Sequence, residues 1–137
     1  MYNVAIIGYG YWGPKLARNF QNSNYFNVRY IVDKSKKNLS KAKIDYPLAQ
    51  LYKNYKLIKK GSVDLTIIAS PTKQHFVMAK YFLKNNHVLV EKPLSISLRE
   101  VKLLEKISKK NKKLLFVDYP FLFSGSINYI KKTIQSK

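Results

Sequence analysis

Val4 to Gly13 reads VAIIGYGYWG, a short apolar run that breaks into glycines and then into a helical pattern. Val4, Ala5, Ile6 and Ile7 are too few to span a membrane and rich in strand formers, which predicts a buried parallel strand. Gly8, Gly10 and Gly13 then spell G-x-G-x-x-G. The three glycines do different things. Gly8 allows the tight turn out of the strand, Gly10 leaves room for a pyrophosphate against the backbone, and Gly13 lets the next helix pack close to the sheet. Unpaired N–H groups at the start of that helix would face the phosphates, where partial positive charge favours an anion.

The surrounding residues strengthen this reading. After Gly13, Leu16, Ala17 and Phe20 fall on one side of a helix, and Pro14 sits in its first turn, where a missing N–H is harmless. Phe26 to Val32, FNVRYIV, reads as a second strand ending at Asp33, 20 residues beyond Gly13. That is the place for an acid that accepts hydrogen bonds from the adenosine ribose. A helix cap before Ser35 is the competing use of Asp33, and the strand and spacing rank it second.

The chain has 137 residues, enough for one domain that buries roughly two-thirds of its unfolded surface and short for a complete dinucleotide enzyme. It contains no cysteine, which removes disulfides, thiolate nucleophiles and cysteine metal sites together. No charged leader precedes a long apolar stretch, so a soluble chain in a reducing cytoplasm is expected. The formal net charge is +19, which raises nucleic-acid binding as a candidate function. Against it, 23 of the 26 basic residues are lysine, whereas bidentate base and phosphate recognition favours arginine. The lysines are spread over nearly every predicted helix and loop. A solvated lysine surface with non-specific polyanion affinity is the preferred reading.

Farther along, residues 34–45 predict a second helix with Leu39, Ala42 and Ile44 as its apolar side, closed by Tyr46 and Pro47. Lys34, Ser35, Lys36 and Lys37 could reach an adenosine 2′-phosphate, which Asp33 disfavours; NAD is therefore expected, with NADP open. Residues 49–52 predict a short strand and 55–60 a short helix ended by Gly61. Val63 to Ala69 is a fourth strand leading into Ser70, Pro71 and Thr72, and residues 73–84 form the next helix. His75 lies in its first turn, facing either cofactor or solvent, and Asn85 or Asn86 should end it in a left-handed conformation. His87 to Val90 then delivers Glu91, Lys92 and Pro93 to the carboxyl edge of the sheet, making Lys92 a candidate for proton transfer. Ser97 and Glu100 suggest a capping box for a helix that buries Leu98, Val101, Leu104 and Ile107. Leu114 to Val117 is a sixth strand ending at Asp118, and Ile127, Ile130 and Ile134 give the tail a helical spacing. Strand and helix alternate throughout, which predicts an α/β fold of Rossmann type: a doubly wound, mostly parallel sheet with helices on both faces.

Gly8 to Phe20 (GYGYWGPKLARNF), Val63 to Pro71 (VDLTIIASP) and Val88 to Leu94 (VLVEKPL) occur in the order of the N-terminal domain of the Gfo/Idh/MocA oxidoreductases, which this chain resembles from about Tyr2 to about Ile134. The GYGYWGP opening and the segment VDYPFLFSG are most similar to members acting on sugars or nucleotide sugars in surface-polysaccharide pathways. The resemblance implies NAD(P)-dependent hydride transfer at a carbon bearing a hydroxyl or carbonyl. It implies that Gly8, Gly10 and Gly13, with the intervening Tyr11 and Trp12, hold the pyrophosphate and that Asp33 holds the ribose. Ser70, Pro71, Thr72 and His75 would line the cofactor, Glu91 and Lys92 would reach the nicotinamide end, and Lys92 would assist proton transfer. No metal is implied. Where many relatives carry a histidine, this chain has Tyr119 followed by Pro120.

Family members continue into a second α+β domain that supplies most of the substrate pocket. The expected organisation here is a dinucleotide domain over 1–123 and the start of a linker helix over 124–137. Three functions follow: a truncated or split oxidoreductase, a stand-alone NAD-binding or regulatory module, and a basic nucleic-acid-binding protein. An exposed apolar patch around Phe121, Leu122, Phe123, Ile127 and Ile130 would favour the first two and predict self-association.

Overall fold

The computed structural model describes residues 1–135 and shows a six-stranded sheet in the order β3-β2-β1-β4-β5-β6, every neighbouring pair parallel. The strands are β1 (Tyr2–Ile7), β2 (Phe26–Val32), β3 (Gln50–Tyr52), β4 (Leu65–Ile68), β5 (His87–Glu91) and β6 (Leu115–Asp118). Helices α1 (Gly13–Gln21), α2 (Lys36–Asp45), α3 (Thr72–Phe82), α4 (Leu98–Asn111) and α5 (Gly125–Gln135) follow β1, β2, β4, β5 and β6 in turn. The order reverses between β1 and β4, the position at which open α/β sheets leave a crevice.

Alternation along β1 builds two cores. Val4 and Ile6 point to the face covered by Ala17 of α1 and Ala42 of α2, whereas Ala5 and Ile7 point to the face covered by Met78, Ala79, Phe82 and Leu83 and by Leu104 of α4. Both faces of the central strand are thus removed from water, which is why its sequence is a continuous apolar run. The register sets Ile7 opposite Val32 and Ile68, so β1, β2 and β4 end level and present their following residues at one edge.

Several local features differ from expectation. Neither Asn85 nor Asn86 is left-handed; among the described residues Lys112 alone combines a side chain with positive φ, at 52°. Asn86 is instead buried, its Nδ2 donating to the Val63 carbonyl, so it ties the end of α3 to the start of β4. The capping box is displaced by two residues: Ser97 makes no side-chain cap, and Ser95 Oγ donates to the Glu100 carboxylate and accepts from the Ser97 N–H at 3.1 Å. Ile44 and Leu98 are exposed, so the apolar stripes of α2 and α4 are narrower than their sequences suggest. The short helix is a 3-10 turn over Tyr55–Leu57, ending before Gly61. After β6 comes a 3-10 turn over Pro120–Phe123, then α5, which buries no residue. Phe121, Leu122 and Phe123 are exposed, and so are Ile127, Ile130 and Ile134. Ser136 and Lys137, the end of the expected linker, lie outside the described residues. Among the described residues no helix is long and apolar enough to cross a membrane.

Thr66 in β4 is fully buried, and its Oγ1 has no hydrogen-bond partner among the described residues. It lies between Ala5 and Val88 in the ladder, on an otherwise apolar face. Replacing a buried unpaired hydroxyl by a methyl of similar shape removes a desolvation penalty, so Thr66→Val is expected to raise the unfolding free energy by about 1 kcal/mol. Urea denaturation of both chains checks this.

Candidate dinucleotide site

The glycine turn is set by two close backbone approaches. Gly8 has φ +97°, and a Cβ there would lie 2.6 Å from the Ala69 carbonyl oxygen, so both conformation and space require glycine. A Cβ on Gly13 would lie 2.0 Å from the Gly8 carbonyl oxygen, which lets α1 start directly against the turn. Gly10 is different: nothing lies within 4 Å of a Cβ built there, and Gly10 lines a cleft of about 790 Å³. A Cβ at Gly10 would therefore meet open space and not protein.

That cleft runs along the carboxyl ends of β1, β2 and β4. Of the residues expected at the site, it brings together Gly8, Gly10, Asp33, Ser70 and Pro71. Tyr9 shows how its wall is fixed. The Tyr9 N–H donates to Asp33 Oδ2 at 2.7 Å, while its phenol is buried and donates to Asp45 at 2.8 Å. Burial, reinforced by the Asp45 carboxylate, pushes the Tyr9 phenol well above its usual range, so it stays a neutral donor. Asp33 also accepts from the Ser35 N–H at 2.8 Å and from Asn38 Nδ2 at 3.1 Å. The competing use of Asp33 is therefore present: its carboxylate organises the entry to α2, although Ser35 is the helix cap itself, accepting from the Asn38 N–H.

The remaining expected residues lie outside that cleft's lining. Tyr11 and Trp12 are exposed and packed edge to face, with Lys15 Nζ 3.7 Å and 4.3 Å from their ring centroids. Gly13 and Thr72 are the first residues of α1 and α3. His75 faces neither cleft nor solvent. It is 1% exposed, with Nε2 2.7 Å from the Ser70 carbonyl oxygen and Nδ1 2.8 Å from that of Pro93. It clasps the loops after β4 and β5, and so holds the segment carrying Lys92. Lys92 is exposed at the end of β5, preceding a cis bond to Pro93. Glu91 is buried beside it, opposite Asp118 in the β5–β6 ladder. Burial first, and the Asp118 carboxylate second, push the Glu91 carboxyl above its ordinary range, with Lys92 and His75 opposing.

Residues that sequence reasoning missed lie on α3, where Lys73, Gln74, Val77 and Met78 line the cleft, and on the loop after β3. Lys53, Asn54, Tyr55 and Lys56 line the cleft, as does Asn38 on α2. The rule that ligands gather at carboxyl edges applies to the β3 loop as much as to the others and was the available signal. Lys34 and Ser35 line the cleft as expected; Lys36 and Lys37 do not, because they follow the turn of α2 away from it.

A parallel sheet in this order, with a glycine turn and a cleft at its point of reversal, defines the class of Rossmann-fold nucleotide-binding domains. Residues 2–119 match the GFO_IDH_MocA family model, described as an oxidoreductase family with an NAD-binding Rossmann fold. The chain belongs to this family. It is 26% identical over 135 residues to a myo-inositol 2-dehydrogenase of Thermotoga maritima, covering 97% of this chain and 40% of that protein. The myo-inositol 2-dehydrogenase of Lactobacillus plantarum is similar in structure at 26% identity, with a TM-score of 0.88 over 98% of this chain and 41% of that one. A biliverdin reductase of Synechocystis sp. PCC 6803 shares the fold at 24% identity and a TM-score of 0.89, covering 98% of this chain and 43% of that one. The chain thus spans about 40% of the length of the dehydrogenases it matches here.

Two outcomes test this geometry. Gly13→Ala should destabilise the chain by about 3 kcal/mol or more, because backbone must move, whereas Gly10→Ala should change stability by less than about 1 kcal/mol; thermal unfolding distinguishes them. The raised Glu91 carboxyl binds its proton more tightly in the folded chain than in the unfolded one. Its contribution is fully present below about 4.5, the ordinary value, and is lost as pH rises through the folded value. Glu91→Gln should therefore gain stability relative to the parent chain as pH is raised from about 4 to about 7, read by denaturant midpoints.

Proposed function

We propose that this chain is the cofactor half-site of a dehydrogenase that moves hydride at a sugar, nucleotide-sugar or cyclitol carbon bearing a hydroxyl or carbonyl. The observation that carries the reading is Gly10: a Cβ there would meet no protein atom within 4 Å, and the residue lines the cleft together with Gly8 and Asp33. A glycine whose missing side chain leaves only ligand space is a cradle for a pyrophosphate. NAD, with NADP also admissible, supplies the hydride acceptor or donor.

In this reading the Gly8 to Gly13 backbone and the first N–H groups of α1 hold the pyrophosphate. Asp33 accepts from the adenosine ribose while keeping the turn in place through Tyr9. Ser70 and Pro71 form the wall toward the nicotinamide, Thr72 opens α3 behind them, and Tyr11 and Trp12 cover the outer rim of the turn. Lys92 holds or releases a proton at the substrate oxygen, because oxidising a hydroxyl to a carbonyl sheds a proton along with hydride. Glu91 sets the charge beside Lys92, and His75 fixes the position of that loop. The family relationship and the inositol dehydrogenase relatives support this chemistry class. The exposed apolar face of residues 120–135 is the side on which a substrate-binding domain, a partner subunit or a second copy would sit. A reducing cytoplasm suits a chain without cysteine.

One observation favours a second reading. Residues from the ends of β1, β2 and β4 and the loop after β3 line one continuous cleft, which suits an NAD-binding module that serves a separate partner. Both readings rest on dinucleotide binding. Calorimetric titration of the purified chain with NADH should show saturable one-to-one binding, and Gly10→Val should weaken it at least about a hundredfold with an unchanged circular dichroism spectrum. A folded parent chain that binds neither NADH nor NADPH would overturn both.

A further inference from the structure

We propose that the amino edge of the sheet docks single-stranded nucleic acid, with lysines from three neighbouring segments taking its phosphates and exposed tyrosines stacking on its bases. All neighbouring strands are parallel, so this edge lies opposite the carboxyl edge that carries the cleft, and the proposal is independent of the dinucleotide reading.

Three segments reach that edge side by side, because β4, β5 and β6 are neighbours in the sheet. Residues 58–64 lead into β4 and carry Lys59 and Lys60, and residues 83–86 lead into β5 and carry Lys84. Residues 109–114 lead into β6 and carry Lys109, Lys110, Lys112 and Lys113. Seven lysines thus fall in these 17 residues, against 23 in the whole chain of 137, so the edge is far more basic than the spread of lysine elsewhere. The one acid in the three segments is Asp64, whose Oδ2 accepts the Asn3 N–H at 2.8 Å. Lys109 pairs with Glu105 of α4, and the other six lysines form no ion pair among the described residues.

Like charges gathered in this way repel, and the segments that carry them are laced together by side chains. Asn86 Nδ2 donates to the Val63 carbonyl and joins the second segment to the first. Asn111 Nδ2 donates to the Leu83 carbonyl at 3.1 Å and joins the end of α4 to the end of α3. The Leu114 N–H donates to His87 Nδ1 at 2.9 Å, and Ser108 Oγ closes the turn after α4 on the Lys113 carbonyl at 2.6 Å. A cavity of about 90 Å³, lined by Lys59, Lys60, Lys84 and Asn85 among others, gives a small anion a seat within the platform. Lys109 and Lys110 spend part of their charge on the carbonyl end of α4, but Lys59 and Lys60 follow no α-helix and have no such use. Aromatic rings extend the edge. Tyr2 and Tyr25 stand at the starts of β1 and β2, 60% and 70% exposed, with the Tyr2 N–H donating to the Tyr25 carbonyl at 2.7 Å. From β2 to β6 the edge runs four inter-strand spacings, about 19 Å, with rings at one end and ammonium groups at the other. A single strand needs both, since its bases are free to stack and its backbone is read by mobile point charges without base recognition.

The test is fluorescence anisotropy of the purified chain with a labelled oligothymidine of about 20 nucleotides and with a duplex of the same length. The single strand should bind saturably and about tenfold or more tighter than the duplex. Its affinity should fall roughly fiftyfold between about 50 mM and about 200 mM salt, as about four phosphate contacts require. Lys60→Glu/Lys84→Glu/Lys112→Glu should weaken it at least about thirtyfold. Lys41→Glu/Lys102→Glu/Lys131→Glu, an equal change of charge on exposed residues outside the three segments, should weaken it less than about fivefold. Tyr2→Ala/Tyr25→Ala should weaken it about fivefold or more, with circular dichroism confirming that each variant is folded. Equal weakening by the two triple variants would trace binding to net charge alone and overturn the proposal. So would a duplex bound as tightly as the single strand, an unchanged affinity in the folded tyrosine variant, or no binding of the strand by the folded parent chain. Displacement of the strand by NADH would put it in the cofactor cleft and overturn the proposal while supporting the dinucleotide reading.

Discussion

The contact between the Gly8 carbonyl and the Cα of Gly13 is the constraint on which the architecture depends. With only 2.0 Å between that oxygen and the place a Cβ would occupy, α1 can begin where it does only because Gly13 has no side chain. The start of α1 fixes how Ala17 meets Val4 and Ile6, and hence how one face of the sheet closes. It also leaves the glycine turn without room to relax, and Tyr9 then locks the turn sideways to Asp33. Packing and site geometry are one problem at this point of the chain, because the residues that close the core also shape the cleft.

Asp33 combines several structural hydrogen bonds with a place on the cleft wall. Its carboxylate organises the glycine turn, the entry to α2 and the Asn38 side chain while lying on the cleft wall. Such an acid is preorganised: its orientation is already decided before any ligand arrives. His75 is the converse case. It was expected to line the cofactor, yet it is buried, with both ring nitrogens against carbonyl oxygens, so it ties together the Ser70 and Pro93 loops.

Much of this was legible in the sequence. The central strands, the glycine turn and the position of Asp33 followed from apolar runs, with β1 ending at glycine and β2, β5 and β6 at an acid, because a parallel strand buried on both faces leaves a clear local pattern; β3 and β6, with no fully buried residue, carried a weaker one. What escaped was set by tertiary neighbours. Ser97 and Glu100 have the spacing of a capping box, but Ser95 reaches the carboxylate first. Asn86 has the residue type of a helix terminator, but the nearby Val63 carbonyl captures its side chain. His75 could be placed on its helix but not oriented, since its partners lie on two different loops. Lys53 and Lys56 carried no local mark at all; they matter because β3 lies beside β2, and no stretch of sequence records that adjacency.

The strand order has a further consequence for how the chain is made. β1 leaves the ribosome first but belongs at the centre of the sheet, where its two partners are β2 and β4. At translation rates of about 5–20 residues per second, Val4 to Ile7 emerge on the order of 3–12 s before residues 65–68. Throughout that interval β1 has one open edge, while β2 and β3 are already available to pair. The early lysines, among them Lys15, Lys34, Lys36 and Lys37, give this nascent half a like-charged surface. Like charge of this kind opposes association between unpaired strand edges.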